Sequence, residues 1–504
     1  MTTFAHALEL SQSMPVATTA NGMPTNASTG NAVLNCFFIL GSSRGQDISA
    51  QFQAALDENP VLAVKALFWA RDVRGGAGER ETFRKLLTVL EKHDGEMTRR
   101  VIPLIAEYGR YDDLHVFHTD LAQKLAIQTH ADAIRSGNGL ASKWAPRKGP
   151  IANQLRKALG MDPKTYRKTI VGFTKVVETQ MCAQQWDSIN YSHVPSVASA
   201  RYQKSFSRHD PVRYAEFKAS ALKGAVKINA GTLFPYDVLK SVRSGDPVAA
   251  LAQWEALPNY LGDNGFILPV IDVSGSMNSR VGDAKSTLSC MDVAISLGLY
   301  LADKQKGAFK DMFLNFHTNS KIHHLQGNLL EKINQIQRSD WGGSTNLESA
   351  FKEILRVAVG SNVPPNEMPR YLLVITDLGF DPSSNNAGQG AMAMAKDIFA
   401  RHNYSLPNVI WWNVAHRPGG YGGDNNFPVT QHESGSALVS GFSPSIVKSV
   451  LSSTSITPYD IMLETLDNPR YELVGNVVDH YQKENLNSSK IQGSCHDVFK
   501  TQCQ

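Results

Sequence analysis

Phe266-Ile-Leu-Pro-Val-Ile-Asp-Val-Ser-Gly-Ser-Met277 decides how the second half of this chain folds. A short apolar run reads as a buried strand, and Asp272, Ser274 and Ser276 stand just past its end on a turn that Gly275 permits. Two later stretches complete the pattern. Gly342-Gly-Ser-Thr345 precedes a helical segment, and Leu372-Leu-Val-Ile-Thr-Asp377 is a second apolar strand ending in an acid. In an open α/β sheet, ligands gather beyond the carboxyl ends of strands. Asp272, Ser274, Ser276, Thr345 and Asp377 then offer only oxygen, which suits Mg²⁺ or Mn²⁺ better than zinc.

The surrounding pattern supports that placement. After Leu261-Gly-Asp-Asn-Gly265, strand and helix signals alternate. Strands are expected at 266–271, 311–316, 321–325, 371–376 and 409–414. Helices are expected at 284–304, 329–337, 347–359, 391–402 and 443–452. Apolar strands alternating with helices predict a doubly wound, Rossmann-like, mainly parallel sheet. Residues 418–428 read as a long Gly-rich loop.

Upstream, from Asn31 to about Leu257, the signals are helical: 61–69, 79–92, 97–107, 114–131, 152–159, 163–180, 211–222 and 247–256. Short helices with short joins predict a helical repeat array of α-solenoid, HEAT-like type, without a crisp period. Residues 1–30 lack periodicity and are expected to be a flexible N-terminal arm or a loosely docked extension. The expected organisation is 1–30 arm, 31–257 helical domain, 265–455 sheet domain and 456–504 C-terminal extension.

Composition narrows the class. A chain of 504 residues with 42% hydrophobic and 19% charged content reads as a multidomain globular protein. No apolar run is long enough for a membrane span, and residues 1–30 show no signal-peptide pattern. Five scattered cysteines without a C-x-x-C pair fit a reducing compartment, so a cytoplasmic protein is expected. Cys495-His496 with Cys503 reads as tail rather than as a metal cluster. His317, His323 and His324 lack carboxylate company and read as packing or surface groups. No Gly-x-Ser-x-Gly elbow and no Walker loop is present, and no His accompanies the oxygen cluster as a base. Asp272 and Asp377 are too few for a metal-dependent nuclease. A non-enzyme is the expectation. The plainer reading of Asp272 and the two serines, as helix caps, leaves Thr345 and Asp377 unexplained.

Charge is segregated. Residues 141–227 carry 16 Lys/Arg and 5 Asp/Glu, in a chain whose total is +4. Lys143, Arg147, Lys148, Arg156, Lys157, Lys164, Arg167, Lys168, Arg201, Lys204 and Arg208 recur with Trp144, Tyr166, Tyr202 and Phe206 among them. Cations neutralise phosphates and aromatic faces stack on unpaired bases, so this stretch reads as an RNA-binding surface. The competing reading makes the aromatics core and the cations a solvated face. Arg71-Asp-Val-Arg-Gly-Gly-Ala-Gly-Glu-Arg80 contains one Arg-Gly-Gly and reads better as a helix–helix turn with flanking ion pairs.

Over residues 265–455 the Asp-x-Ser-x-Ser, Thr and Asp set resembles a von Willebrand factor A domain with its metal-ion-dependent adhesion site. The resemblance implies that Asp272, Ser274, Ser276 and Thr345 bind the ion directly or through water, with Asp377 acting through water. Leu378 departs from the Gly that often follows the last acid. Lys143-Trp-Ala-Pro, Tyr166-Arg-Lys168, Glu178, Trp186, Ile189-Asn-Tyr191, Val194-Pro-Ser196 and Arg201-Tyr202 resemble the TROVE module of the Ro ribonucleoprotein family and its two-part relatives. That resemblance implies binding of single-stranded RNA ends or small structured RNA, with the A domain closing a helical ring and no enzymatic activity. The alternative is a metal-dependent protein-binding scaffold or assembly factor with no specific RNA, its ion taking a partner's carboxylate.

Overall fold

Helices dominate up to residue 255 and a mixed, mainly parallel sheet follows, so the architecture is α plus α/β. The computed structural model describes residues 16–243, 246–263, 265–282, 286–416 and 426–501. Most of the Gly-rich loop expected at 418–428 lies outside them, as do the side chains of Cys495, His496 and Cys503. Two compact units form: one from residues 1–48, 73–82 and 176–465, the other from 49–72, 83–175 and 466–504.

The first unit contains every strand. β1 (Val16–Thr18) and β2 (Pro24–Asn26) make a small antiparallel hairpin. β3 (Ile267–Asp272), β4 (Met312–Phe316), β5 (Lys321–His324), β6 (Tyr371–Thr376), β7 (Asn408–Asn413) and β8 (Ser436–Ser440) form one sheet in the order β5-β4-β3-β6-β7-β8. All pairs are parallel except β4–β5, which closes one edge antiparallel. Every residue of β3 is buried, as a strand covered on both faces requires. Pro269 is tolerated in this central strand because pairing with β4 starts only at Val270.

Alternation sorts the β3 side chains. Leu268 and Val270 join a core with Leu314, Phe351, Val374 and Trp411. Ile271 points the other way, onto the helix Cys290–Lys304. A Cβ at Gly298 of that helix would lie 2.2 Å from Ile271 Cδ1, so only glycine allows this approach. The helix begins at Cys290 rather than at 284, because Ser289 and Asp292 form a reciprocal capping box there.

Two expectations about the N-terminal region need correction. Residues 16–30 are not a flexible arm: Met23 is buried in the sheet's core, and β2 bridges Phe427. The helix Ala32–Leu40 belongs to the sheet unit and packs on β8 instead of opening a helical array. Gly41 makes that possible, since a Cβ there would lie 2.5 Å from Ser440 O. The helices from Val177 to Glu255 also belong to this unit, so the 31–257 stretch is divided rather than one array. Strand β8 had no sequence signal, being five residues with two serines.

The second unit is helical. Phe68 meets Phe83 and Tyr108 edge-on at centroid distances of 5.6 and 5.2 Å. The C-terminal stretch, expected as an extension, is the long helix Glu472–Thr501, which packs on Pro60–Arg71 and Gly95–Val101. Buried Asp72 receives Arg470 Nη2 at 2.9 Å and the Tyr471 hydroxyl at 3.1 Å. Buried Asp113 receives Arg71 Nε at 2.8 Å, Arg84 Nε at 2.6 Å and the Arg110 amide at 2.9 Å. The Arg71–Arg80 segment is therefore flanked by ion pairs at Arg71, Asp72 and Glu79, the last with Arg44 at 2.6 Å.

A histidine pair gives this unit a pH dependence. His130 Nε2 lies 2.8 Å from Ala141 O, a carbonyl that can only accept, so the His130 proton sits on Nε2. Its Nδ1 then accepts from His115 Nε2 at 2.9 Å. Burial, reinforced by His130, pushes the His115 imidazole down to about 4 against the partial opposition of Asp112 and Asp113. The unfolded chain takes this proton near pH 6.5 and the folded one only near pH 4. Stability is therefore full above pH 6.5 and falls as pH drops through that window, by at most about 3 kcal/mol. Thermal midpoints should decline from pH 7 to pH 4, and His115→Gln should flatten the slope.

Candidate metal centre and basic surface

The five oxygen-bearing residues collect at the carboxyl ends of β3 and β6. Asp272 is the last residue of β3 and is fully buried. Its Oδ1 accepts from the Ser274 amide at 3.0 Å, and its Oδ2 accepts from Thr376 Oγ1 at 2.6 Å. A carboxylate has about four acceptor positions, so lone pairs remain for an ion. Ser274 Oγ and Ser276 Oγ lie 3.2 Å apart on the turn that leads into a short 3₁₀ helix, Gly275–Asn278. The Gly342-Gly-Ser-Thr345 loop is tied to this turn. Gly342 N donates to Val273 O at 2.8 Å, and Gly275 N donates to Gly343 O at 3.4 Å. Gly342 and Gly343 both have positive φ, 98° and 79°, which is what lets the loop fold back. Thr345 is 2% exposed and stands two residues before the helix Leu347–Gly360.

Asp377 follows β6, and its charge acts on Asp272. Burial first, and Asp377 second, raise the Asp272 carboxyl to about 7, against the hydrogen bonds from Thr376 and Ser274. A divalent ion between the two acids would remove that penalty. Two carboxylates and three hydroxyls fit a hard divalent cation. Among the described residues, no group of three or more His, Cys, Asp or Glu side chains assembles that could hold a metal ion. The pole's capacity for one therefore rests on its hydroxyls as much as on its acids.

Leu378 has φ 64°, the left-handed conformation that glycine adopts freely. It keeps a leucine because the side chain is buried in the sheet's core, 3% exposed, and its amide donates to Thr376 Oγ1 at 3.0 Å. The strain is thereby offset by packing.

Three participants carry no sequence signal as site residues. Thr376 orients Asp272, as described. Asn426 Nδ2 donates to Leu378 O at 2.8 Å and steadies the loop after Asp377. Asn21, on the β1–β2 turn, places Nδ2 2.6 Å from Gly379 O, 2.8 Å from Asp381 Oδ1 and 3.4 Å from Thr345 Oγ1. Of the three histidines near β4 and β5, His323 stacks on Phe313 at 4.9 Å and His317 is buried. Both read as packing groups.

The basic candidates divide between the units. Lys143, Arg147, Lys148, Arg156, Lys157, Lys164, Arg167 and Lys168 lie in the helical unit, and Arg201, Lys204 and Arg208 in the sheet unit. Arg147, Lys148, Lys157, Lys164, Arg167 and Lys168 are exposed, and none of them meets a carboxylate among the described residues. Arg156 is half-buried and donates to Met161 O at 3.1 Å, closing its helix. Lys143 is half-buried, 5.6 Å over the Trp144 ring. Arg201, Lys204 and Arg208 are exposed along one face of Ser196–His209.

The interleaved aromatics are not stacking platforms. Tyr166 is buried and donates to Pro146 O at 3.0 Å. Phe206 is fully buried in a cluster with Tyr191 and Tyr214. Tyr202 donates to Glu178 at 3.2 Å, and Trp144 is covered by the Arg110 guanidinium at 3.7 Å. Helical periodicity explains this: within each helix the aromatic falls on the inner stripe and the cations on the outer one.

Two family models match consecutive parts of the chain. Residues 19–98 and 108–265 match the family model "Domain of unknown function (DUF2828)", and residues 267–490 match "Domain of unknown function (DUF7788)". The two matches meet where the pattern changes from helical to alternating. The chain is 26% identical over 553 aligned positions to "Uncharacterized protein L728" of Acanthamoeba polyphaga mimivirus, covering 96% of this chain and 94% of that protein. Among solved structures, the Ro (RSR) protein of Deinococcus radiodurans is similar at 13% identity and a TM-score of 0.41, over 86% of this chain and 99% of that one. A likeness at that score carries no argument about fold or function.

Proposed function

We propose that this protein is a non-enzymatic, Ro-like RNA-binding protein whose A-type domain carries Mg²⁺ or Mn²⁺. The observation that supports RNA binding is the set of six exposed cations between Arg147 and Lys168 without carboxylate partners among the described residues. Elsewhere in the same unit Arg99 is paired with Glu96 and Arg135 with Asp132. An unpaired cationic face gains from releasing counterions when phosphates arrive. Because the nearby aromatics are core, recognition proceeds through the phosphate backbone, and base stacking contributes little.

In the A-type domain, Asp272, Ser274, Ser276, Thr345 and Asp377 would hold the ion. Bound there, it neutralises two adjacent acids and fixes two loops to one sheet end. Chemistry on a substrate is no part of this reading.

The test is fluorescence anisotropy with a single-stranded RNA oligonucleotide across a salt series. Log affinity should fall with log salt at a slope of about −0.7 per phosphate neutralised. Combining Lys143→Glu, Arg147→Glu, Arg167→Glu and Lys168→Glu should weaken binding about tenfold or more at moderate salt. Unaltered affinity in that variant rejects the reading.

A second reading, a metal-dependent protein scaffold without specific RNA, is favoured by one observation. The oxygen pole is more completely assembled than the basic surface, which is split between units. On that reading Asp272→Ala abolishes divalent-dependent capture of a carboxylate-bearing partner.

A further inference from the structure

The five-residue reading leaves out the first thirty residues, yet the structure sets one of them on the pole. The β1–β2 turn is tightly made. Thr19 N donates to Met23 O at 2.8 Å and Gly22 N to Thr19 O at 3.0 Å, with Gly22 at φ 98°. The turn is pinned on both sides. Thr19 Oγ1 donates to Phe380 O at 2.5 Å, Met23 is 1% exposed, and Asn26 and Phe427 exchange backbone hydrogen bonds at 3.1 and 3.0 Å. Its tip, Ala20-Asn21, therefore has a fixed place. The Asn21 nitrogen faces a carbonyl and a carboxylate, both of which only accept, so the orientation of the amide is set by chemistry. The same nitrogen reaches Thr345 Oγ1, one of the candidate ligands.

We propose that the β1–β2 turn is a lid in cis over the cation pole, with Asn21 occupying the approach between Thr345 and Gly379–Asp381 by which an outside carboxylate would enter. The proposal rests on the pole holding a divalent ion, and it deepens that reading. It assigns the ion to joining this chain's own N-terminal hairpin to the sheet end, and not to gripping an acidic partner. A cation enclosed in this way keeps few exchangeable waters and has no free position for a carboxylate. Removing the Asn21 side chain opens one.

The experiment uses the full chain with Mn²⁺ as the probe. Water-proton relaxation reports exchanging waters on bound Mn²⁺, and acetate stands for a partner's carboxylate. In the wild-type protein, acetate should leave the relaxivity of bound Mn²⁺ unchanged. Asn21→Ala should raise relaxivity about twofold as a second water position opens. Acetate should then lower it. If Mn²⁺ binds both proteins with the same relaxivity and the same response to acetate, the lid is wrong while the ion stands. If Mn²⁺ does not bind, and Asp272→Ala behaves as wild type, the ion reading fails and the lid fails with it.

Discussion

Asp113→Ala is expected to cost about 3–5 kcal/mol of stability, enough to unfold much of the helical unit at physiological temperature. Asp113 is fully buried and is the shared acceptor for Arg71, Arg84 and the Arg110 amide. Deleting it leaves the Arg71 guanidinium, with 7% side-chain exposure, without this counter-ion in a dry site. Breaking a buried pair from one side is worse than lacking the pair, because the remaining charge keeps its desolvation cost. The double change Asp113→Ala with Arg71→Met should therefore recover part of the loss. Urea titration followed by circular dichroism measures both. A single variant within about 1 kcal/mol of wild type would mean that water reaches the pair.

Asp272 should show the opposite dependence on conditions. With Mg²⁺ at about one hundred times its dissociation constant, a site present only in the folded state adds about 2.7 kcal/mol. Asp272→Asn should lose nearly all of that, so its thermal midpoint should not respond to Mg²⁺ or Mn²⁺. In chelator the sign reverses. The wild-type protein there holds two acids close together, one of them fully buried. Asn relieves that repulsion, its single amide oxygen still accepting from the Ser274 amide and its NH₂ donating to the Thr376 hydroxyl, which can accept, so the variant should be no less stable than wild type, and somewhat more so as pH rises toward neutrality. A wild-type midpoint indifferent to divalent ions would remove the metal from the account.

The legible part of the site was the part written in short-range pattern. An apolar run ending in Asp-x-Ser-x-Ser encodes its own strand, turn and hydroxyl pair, and the loops at Thr345 and Asp377 repeat that grammar. Each can be read locally because each acid or hydroxyl follows directly on the strand or precedes the helix that positions it. Asn21 could not be found this way. It contacts Thr345 across 324 positions of sequence, and an Asn in a Gly-Asn-rich stretch looks like any turn residue. Thr376 was visible but read as the last residue of a strand; its hydroxyl matters only because β6 lies beside β3.

The helical half was less transparent for a different reason. Helices announce themselves by periodicity but not by partner, so the pattern gave most of the elements and not their grouping. The helix Ala32–Leu40 is apolar almost all round, which says it is buried and leaves open against what. The basic stretch misled where it was read residue by residue. Tyr166 and Phe206 sit among cations in sequence, and only the helix geometry turns them inward.

The way the helical unit is assembled bears on how it is made. Its first helices, Ser49–Glu58 and Pro60–Arg71, leave the ribosome early, yet the helix that covers Pro60–Arg71 begins at Glu472. Some four hundred residues, including the whole sheet, are translated in between. At bacterial-to-eukaryotic elongation speeds of about 5–20 residues per second, that apolar face waits on the order of 20–80 seconds for its cover. A nascent chain in this state is a natural client for holding chaperones, and ribosome-stalled forms ending before Leu466 should be cut by protease within residues 49–72 far faster than the released protein.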